Sequence, residues 1–420
     1  MTSKKLFILI PYLNQNTTSV NRLQSFIHEA LERKDVDVNV IYFDFSTLDK
    51  ISIGIDGELS SITNLFKDKI IHLQPNLNFL QSFSFWFLKR GYIKLFKILT
   101  IFHQILYLSD VFTVHKVNKQ LQDLHINSND TFVALGGPFG LFKTTYNIHK
   151  RYKVKLILDY RDPWTYGYPP IDGSSLFHLF KQKAVRKLEN KILSAATLIF
   201  TVSESLKNFF PKKYQSKVFV IPNAANYFGV KIETAPKTFD IVYLGTIYNI
   251  QLKDETLFRA ISKWAPNKSN VRILFLGSNN SHLLKPMIEK YGLTENTIIT
   301  KRLGKEAIKP YLENASLFLH LKYGNRKEII TSKQADYLIF RKPILIPVSD
   351  EGDIAESITK NNAGYVCYSE PEILTILNKL YDKFLARSVE IIDKNELNTS
   401  YTREFWAKKF VDKILTPPSL

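Results

Sequence analysis

A single cysteine, Cys367, in 420 residues excludes an intramolecular disulfide framework and a cysteine-built zinc site. It fits a reducing, cytosolic compartment. Glycine and proline are sparse at 16 and 17 and follow no period, which excludes collagen-like and low-complexity chains. Acidic residues are in deficit. Thirty-nine Asp and Glu face 57 Lys and Arg, and the net charge of +18 calls for an anionic partner: nucleic acid, an acidic membrane or a phosphorylated substrate. Long apolar runs are missing as well. The run 6–10 stops at Pro11 and is too short for an export signal, so none is expected. The most apolar segment, 79–108, is interrupted by Lys89, Arg90, Lys94, Lys97 and His103, which excludes a spanning helix.

What is present points to a folded protein: 45% of the residues are hydrophobic and 23% charged. Cores stop growing near about 250–300 residues, so a chain of this length predicts two domains. Strand-like runs occur at 6–10, 38–43, 132–135, 155–158, 197–202 and 218–221. After a looser stretch, 223–238, they resume at 240–244, 271–276, 297–300, 317–321, 344–347 and 364–366. Helical patterns, such as 20–33, 177–195, 254–264 and 332–340, lie between them. This alternation predicts an α/β protein of two Rossmann-like, doubly wound domains, 1–225 and 238–398, facing across a cleft. Ligands are expected at the carboxyl ends of the strands.

The segment 69–109 breaks the rhythm. It carries five Lys or Arg, no Asp or Glu, and Phe79, Phe83, Phe85, Trp86, Phe87, Tyr92, Phe96 and Phe102. Read as one helix, it puts Arg90, Lys94 and Lys97 on a single stripe, the pattern of a basic amphipathic helix on an anionic membrane surface. Two core helices whose lysines snorkel to water fit the same pattern. A peripheral position on the inner membrane face is therefore one expectation for a cytoplasmic protein.

Three runs carry candidate chemistry. Asp159-Tyr160-Arg161-Asp162-Pro163-Trp164 follows a strand and releases charged groups and a tryptophan at its end, where a plain turn is the competing reading. Tyr243-Leu244-Gly245-Thr246 and Leu276-Gly277-Ser278 each end a strand in glycine and a hydroxyl, which lets a phosphate approach the backbone. Glu328, Thr331, Ser332, Lys333 and Asp336 surround the start of a helix. A helix N-terminus with a lysine in its first turn suits a diphosphate. Asp336 would accept from a ribose diol and Glu328 from sugar hydroxyls, while an ordinary capped helix is the competing reading. Metal chemistry has little support. Asp35-Val36-Asp37 reads as an exposed turn, the histidines lack ligand spacing, and His320 reads as a satisfied core histidine.

Taken in order, these residues resemble a bacterial glycosyltransferase of family four. The match begins with Arg22, the run 159–164, Val202-Ser203-Glu204 and Ile221-Pro222-Asn223. It continues through Tyr243-Leu244-Gly245-Thr246, Arg302-Leu303-Gly304 and Ser332-Lys333-Gln334-Ala335-Asp336-Tyr337-Leu338 to Arg341-Lys342-Pro343. The resemblance implies the GT-B fold and a nucleotide-sugar donor in the C-terminal domain. It also implies retention of anomeric configuration and neither metal nor cofactor. Glu328 and Asp336 match the family's acidic pair, the second binding ribose. Residues 400–420, around Arg403-Glu404-Phe405-Trp406, are expected to pack back on the first domain. The chain departs from the family pattern at 14–18, where no glycine-rich loop stands, and at Thr246, where an arginine is usual. It departs again at Arg161 or Asp162, where a histidine is usual.

The expected site then comprises Asp162, Glu328 and Lys333 for catalysis. Gly245, Thr246, Lys253, Gly277, Arg302, Leu303, Ser332 and Asp336 are expected around the donor. Asn16, Arg22, Arg161 and Trp164 are expected on the side of a glycan or lipid-linked acceptor. Lys253, Lys333 and Arg302 would balance the diphosphate. The rival is a non-catalytic carbohydrate- or nucleotide-binding protein that keeps the fold. Nucleic acid is not expected, because no nucleic-acid module is recognised.

Overall fold

The computed structural model describes residues 4–10, 18–43, 66–115, 119–167, 176–227, 230–231, 233–278, 280–392 and 401–416. Asn16 and the rest of the segment 14–17 lie outside these residues. The chain divides into two compact units. One comprises Met1–Ile53, Leu59–Pro222 and Trp406–Leu420, the other Gly54–Glu58 and Asn223–Phe405.

The first unit is built on seven strands: β1 Lys4–Ile10, β2 Val36–Phe43, β3 Ile70–Leu73, β4 Thr131–Leu135, β5 Lys155–Tyr160, β6 Leu198–Thr201 and β7 Val218–Val220. All pair in parallel, in the order β3-β2-β1-β4-β5-β6-β7. Helical crossovers cover both faces, so the strands are nearly continuous apolar runs rather than alternating ones. The last five residues of β1 and of β5 are all buried. On one face Phe7 stacks on Phe132 at 4.5 Å. On the other, the helix Arg403–Leu415 buries Ala407, Phe410, Val411 and Ile414, spaced as one helical stripe, and Phe410 stacks on Phe26 at 3.8 Å.

The second unit has six parallel strands: β8 Phe239–Leu244, β9 Val271–Leu276, β10 Thr297–Ile299, β11 Leu317–Leu319, β12 Ile344–Ile346 and β13 Gly364–Val366. Their order is β10-β9-β8-β11-β12-β13. In both units the order reverses beside the first strand, between β1 and β4 and between β8 and β11. These switch points are where an open parallel sheet leaves a crevice beyond its strand ends.

Of the two readings of segment 79–108, one helix or two, the structure has two helices, Phe79–Lys89 and Ile93–Tyr107. Gly91, at φ +78°, makes the break, and Arg90 is the C-cap of the first helix. Arg90 therefore does not share a helical stripe with Lys94 and Lys97.

Candidate functional site

Beside the switch point of the second unit, β8 and its neighbour β9 are each followed by a glycine in the left-handed region, Gly245 at φ +93° and Gly277 at φ +77°. A Cβ on Gly245 would meet nothing within 4 Å. One on Gly277 would stand 3.8 Å from the Gly245 Cα and 4.0 Å from the Arg302 Cα. The two turns and the start of Arg302-Leu303-Gly304 thus lie side by side. Their own N–H groups are already used: Gly245 donates to the Leu276 carbonyl at 2.7 Å and Gly277 to Thr300 Oγ1 at 2.9 Å. What the glycines offer a ligand is room for close approach, not donors. Thr246 is half-buried, and its carbonyl accepts from the Tyr243 hydroxyl at 3.3 Å.

The helix Ser332–Phe340 is fixed over this point by packing. Every residue from Gln334 to Phe340 is buried, and Tyr337 lies flat on Phe318 at 4.3 Å. The Tyr337 hydroxyl accepts the Leu244 N–H at 2.8 Å, tying the helix to the end of β8. One turn earlier, Lys333 Nζ donates to Tyr243 Oη at 2.7 Å and sits 4.2 Å from the ring centre. Desolvation holds the Lys333 ammonium below the ordinary lysine range. No carboxylate among the described residues pairs with it.

In the second unit several buried polar atoms lack hydrogen-bond partners, among them Ser278 Oγ, both ring nitrogens of His320, Glu328 Oε1 and Thr331 Oγ1. Such groups are normally satisfied. His320 follows β11, and its ring lies 5.1 Å from that of Tyr337. Burial, with the Lys333 charge, pushes it down to about 3, so it is neutral at physiological pH. It is the core histidine read from the sequence in its burial but not in its bonding.

Asp336 is placed differently from the expectation of a ribose contact. It is 2% exposed and accepts from the Asn226 backbone N–H at 2.5 Å and from Asn226 Nδ2 at 2.9 Å. Burial raises it to about 6, against the pull of those bonds and of Arg403 and Lys305. Both of its oxygens hold the segment that leads into β8. Lys253 is exposed and lines an open depression of about 570 Å³ with Asp254, Arg259 and Lys322. Leu303 packs into the core beneath β8 and β9.

In the first unit, β4 leads into Gly136-Gly137-Pro138, where the Gly137–Pro138 peptide is cis. Asp162 Oδ2 stands 3.9 Å from where a Gly137 Cβ would be, and the Asp162 carboxylate pairs with Arg161. The pair is partly exposed just past the end of β5, beside the Gly137 turn that follows β4. Trp164 turns inward and stacks on Phe139 at 5.2 Å. Arg22 is not on the surface either. Its Nε and Nη2 donate to Asp159 at 3.1 and 3.2 Å, and Nη1 to the Pro222 carbonyl at 2.8 Å. Glu189 was not among the expected residues; it is a buried acid that accepts from Tyr160 Oη at 3.1 Å and from the Thr165 N–H and hydroxyl. Burial raises it to about 7. Its signal was obscured because it sits in a helix rich in ordinary surface charges.

Among the described residues, no cluster of three or more His, Cys, Asp or Glu could hold a metal ion. Two parallel Rossmann-type sheets in one chain, with polar groups gathered at their switch points, define the GT-B architecture. Solved structures share it over nearly the full length. A Staphylococcus aureus TarM variant, solved with fondaparinux, alpha-GlcNAc-glycerol and UDP, has 13% identity and a TM-score of 0.56 over 98% of this chain and 100% of its own. Anabaena HepE, solved with UDP, has 12% identity and a TM-score of 0.58 over 98% and 99%. The UDP-GlcNAc 2-epimerase of Neisseria meningitidis, bound to UDP-GlcNAc, has 12% identity and a TM-score of 0.53 over 98% and 99%. No family model matches the chain, and no curated protein matches it.

Proposed function

We propose that this protein is a retaining glycosyltransferase that moves a sugar from a nucleotide diphosphate sugar to a hydroxyl of a glycan or lipid-linked acceptor, in the synthesis of cell-surface polysaccharide or glycoconjugate. The observation that carries the reading is Lys333, a desolvated ammonium without a carboxylate, set beside two glycine turns at a switch point. A cation so placed is incomplete without an anion, and a diphosphate supplies one. That TarM and HepE, which share this fold, were solved with UDP supports a nucleotide ligand.

In this reading Lys333, Arg302 and the N-terminus of the Ser332 helix stabilise the charge that builds on the leaving diphosphate. Gly245 and Gly277 give it space. The unpartnered oxygen of Glu328 accepts from a hydroxyl of the donor sugar, and neutral His320 supplies a donor and an acceptor beside it. Asp162 is the proton acceptor on the acceptor side, with Arg161 orienting its carboxylate. Metal is not required, because fixed cations meet the diphosphate. Asp336, Arg22 and Trp164 support the site from within, and Lys253 lies in the neighbouring depression.

The test is a melting-point panel of nucleoside diphosphates and their sugars in chelator, followed by product analysis with glycan and lipid-linked acceptors. A ligand that binds the folded state raises the melting point by mass action. Transfer with retained configuration is the expected outcome. A sugar epimerised at C2 without transfer would assign an epimerase, binding without turnover a carbohydrate- or nucleotide-binding protein, and activity only with added manganese a metal-dependent enzyme.

A further inference from the structure

The hairpin of Phe79–Lys89 and Ile93–Tyr107 is built inside out. Three of its four buried residues, Gln81, Ser84 and His103, are polar, and Phe85 alone is apolar. Gln81 donates to the carbonyls of Val111 and Thr113, both at 2.8 Å, and His103 Nδ1 lies 3.1 Å from the Ser109 carbonyl. Its outer positions are apolar. Of the sixteen large hydrophobic side chains exposed among the described residues, eleven lie between 79 and 107. Phe79, at 83% exposure, stacks on Phe83, and Phe83 on Trp86, so one aromatic row runs along the outside of the first helix. Soluble surfaces rarely carry so contiguous an apolar face unless something covers it. No helix of the described residues is long and apolar enough to cross a membrane.

The charge pattern says what covers it. Lys89, Arg90, Lys94 and Lys97 are all exposed around the turn of the hairpin, and no acid occurs from 69 to 109. The Arg90 guanidinium lies 3.9 Å over the Trp86 ring, an amphipathic pair of the kind that sits at a headgroup boundary. A second copy of this chain would set the same four cations against each other across a two-fold axis, with no acid to relieve them. A bilayer of anionic lipid satisfies both faces at once, phosphates for the cations and acyl chains for the apolar row.

We infer that this hairpin is an interfacial anchor that lies in the plane of an anionic bilayer, with Phe79, Phe83, Trp86, Ile98, Phe102 and Leu106 entering the acyl boundary. The inference stands on the hairpin alone and is independent of the donor site. It joins the two readings that the sequence left apart: there are two helices, held to the core through Phe85, Leu88 and Phe96, and most of their large apolar side chains are exposed.

The test uses the full chain and vesicles of phosphatidylcholine with and without phosphatidylglycerol. Sedimentation with the anionic vesicles at low salt is expected, weakening as salt screens the charges. Each cation is worth about fivefold in binding, so Lys94→Ala with Lys97→Ala should weaken it about 25-fold. Phe83→Ser with Leu106→Ser should lower binding to both vesicle types. Brominated acyl chains should quench the wild-type emission but not that of Trp86→Phe, which reads insertion separately from charge. All these side chains are at the surface, so a cooperative unfolding transition near that of the parent is expected and confirms that each variant folds. Absence of vesicle binding at low salt by the folded parent would overturn the inference. So would a dimer in light scattering that Leu106→Ser dissolves in the absence of any lipid binding, since that assigns the face to a second copy.

Discussion

Lys333 and Tyr243 form a paired unit at the end of β8: the ammonium donates to the phenol oxygen at 2.7 Å while lying 4.2 Å from the centre of the same ring. The tyrosine positions the cation without neutralising it. Replacing Lys333 by Met keeps the stem and removes the charge. Loss of one charge-assisted contact costs about 1.5–3 kcal/mol, or roughly 10- to 150-fold in affinity for a nucleoside diphosphate. Affinity for the uncharged nucleoside should stay within about twofold, because it makes no such contact. Calorimetry of both ligands reads the difference, and equal losses would remove Lys333 from the diphosphate site. Tyr243→Phe retains the charge and should cost less.

Gly245 tests the room at the turn. A methyl group there meets no atom within 4 Å, so the only folding penalty is the left-handed backbone, about 1 kcal/mol. A bound phosphate would occupy the same space. Gly245→Ala should therefore leave the urea midpoint close to that of the parent while diphosphate binding falls sharply. A variant that binds normally would place the phosphate elsewhere.

Much of the fold was legible because parallel strands buried on both faces are written as apolar runs, and all but one of the thirteen strands among the described residues coincide with such a run. The exception, Ile70–Leu73, is an edge strand of four residues, too short to stand out. The glycine turns and Lys333 were legible for a similar reason, since a glycine or a helix start after a strand has a fixed place in this topology. Partnerships over long separations were not. Nothing near Arg22 points to Asp159, 137 residues away, and nothing near Asp336 points to Asn226, 110 residues away. Both looked like surface groups free for a ligand until tertiary packing brought them together. The hairpin was legible only as a pair of alternatives: spacing fitted one helix or two, and the positive φ of Gly91 makes it two.

Glu189 should leave a pH signature on stability. Its ordinary value is 4.5, and burial raises it to about 7 in the fold, so between these values the folded state holds a proton that the unfolded state has lost. Stability then falls as pH rises through that window, by up to about 3 kcal/mol. Glu189→Gln cannot titrate and lacks this slope. Urea unfolding at pH 5 and pH 8 should show the parent losing about 2–3 kcal/mol relative to the variant. Parallel curves for the two proteins would mean that Glu189 is ionised in the fold.

The Arg22–Asp159 pair gives the last prediction. Arg22 is 5% exposed and Asp159 is wholly buried, and the guanidinium grips both carboxylate oxygens while a third nitrogen donates to the Pro222 carbonyl. The helix Thr18–Leu31, strand β5 and the chain at Pro222 are thereby fastened at one point, just before Arg161 and Asp162 emerge. Removing either partner strands the other charge without water, which costs about 3–5 kcal/mol. Removing both leaves no stranded charge, so Arg22→Met combined with Asp159→Leu should cost clearly less than the sum of the single changes. Urea unfolding of the four proteins measures that coupling. A residue that binds acceptor at the surface would behave otherwise: Arg22→Met would leave the unfolding midpoint unchanged and raise the acceptor KM. A double-mutant cycle with no coupling would therefore return Arg22 to the acceptor site that the family resemblance implies.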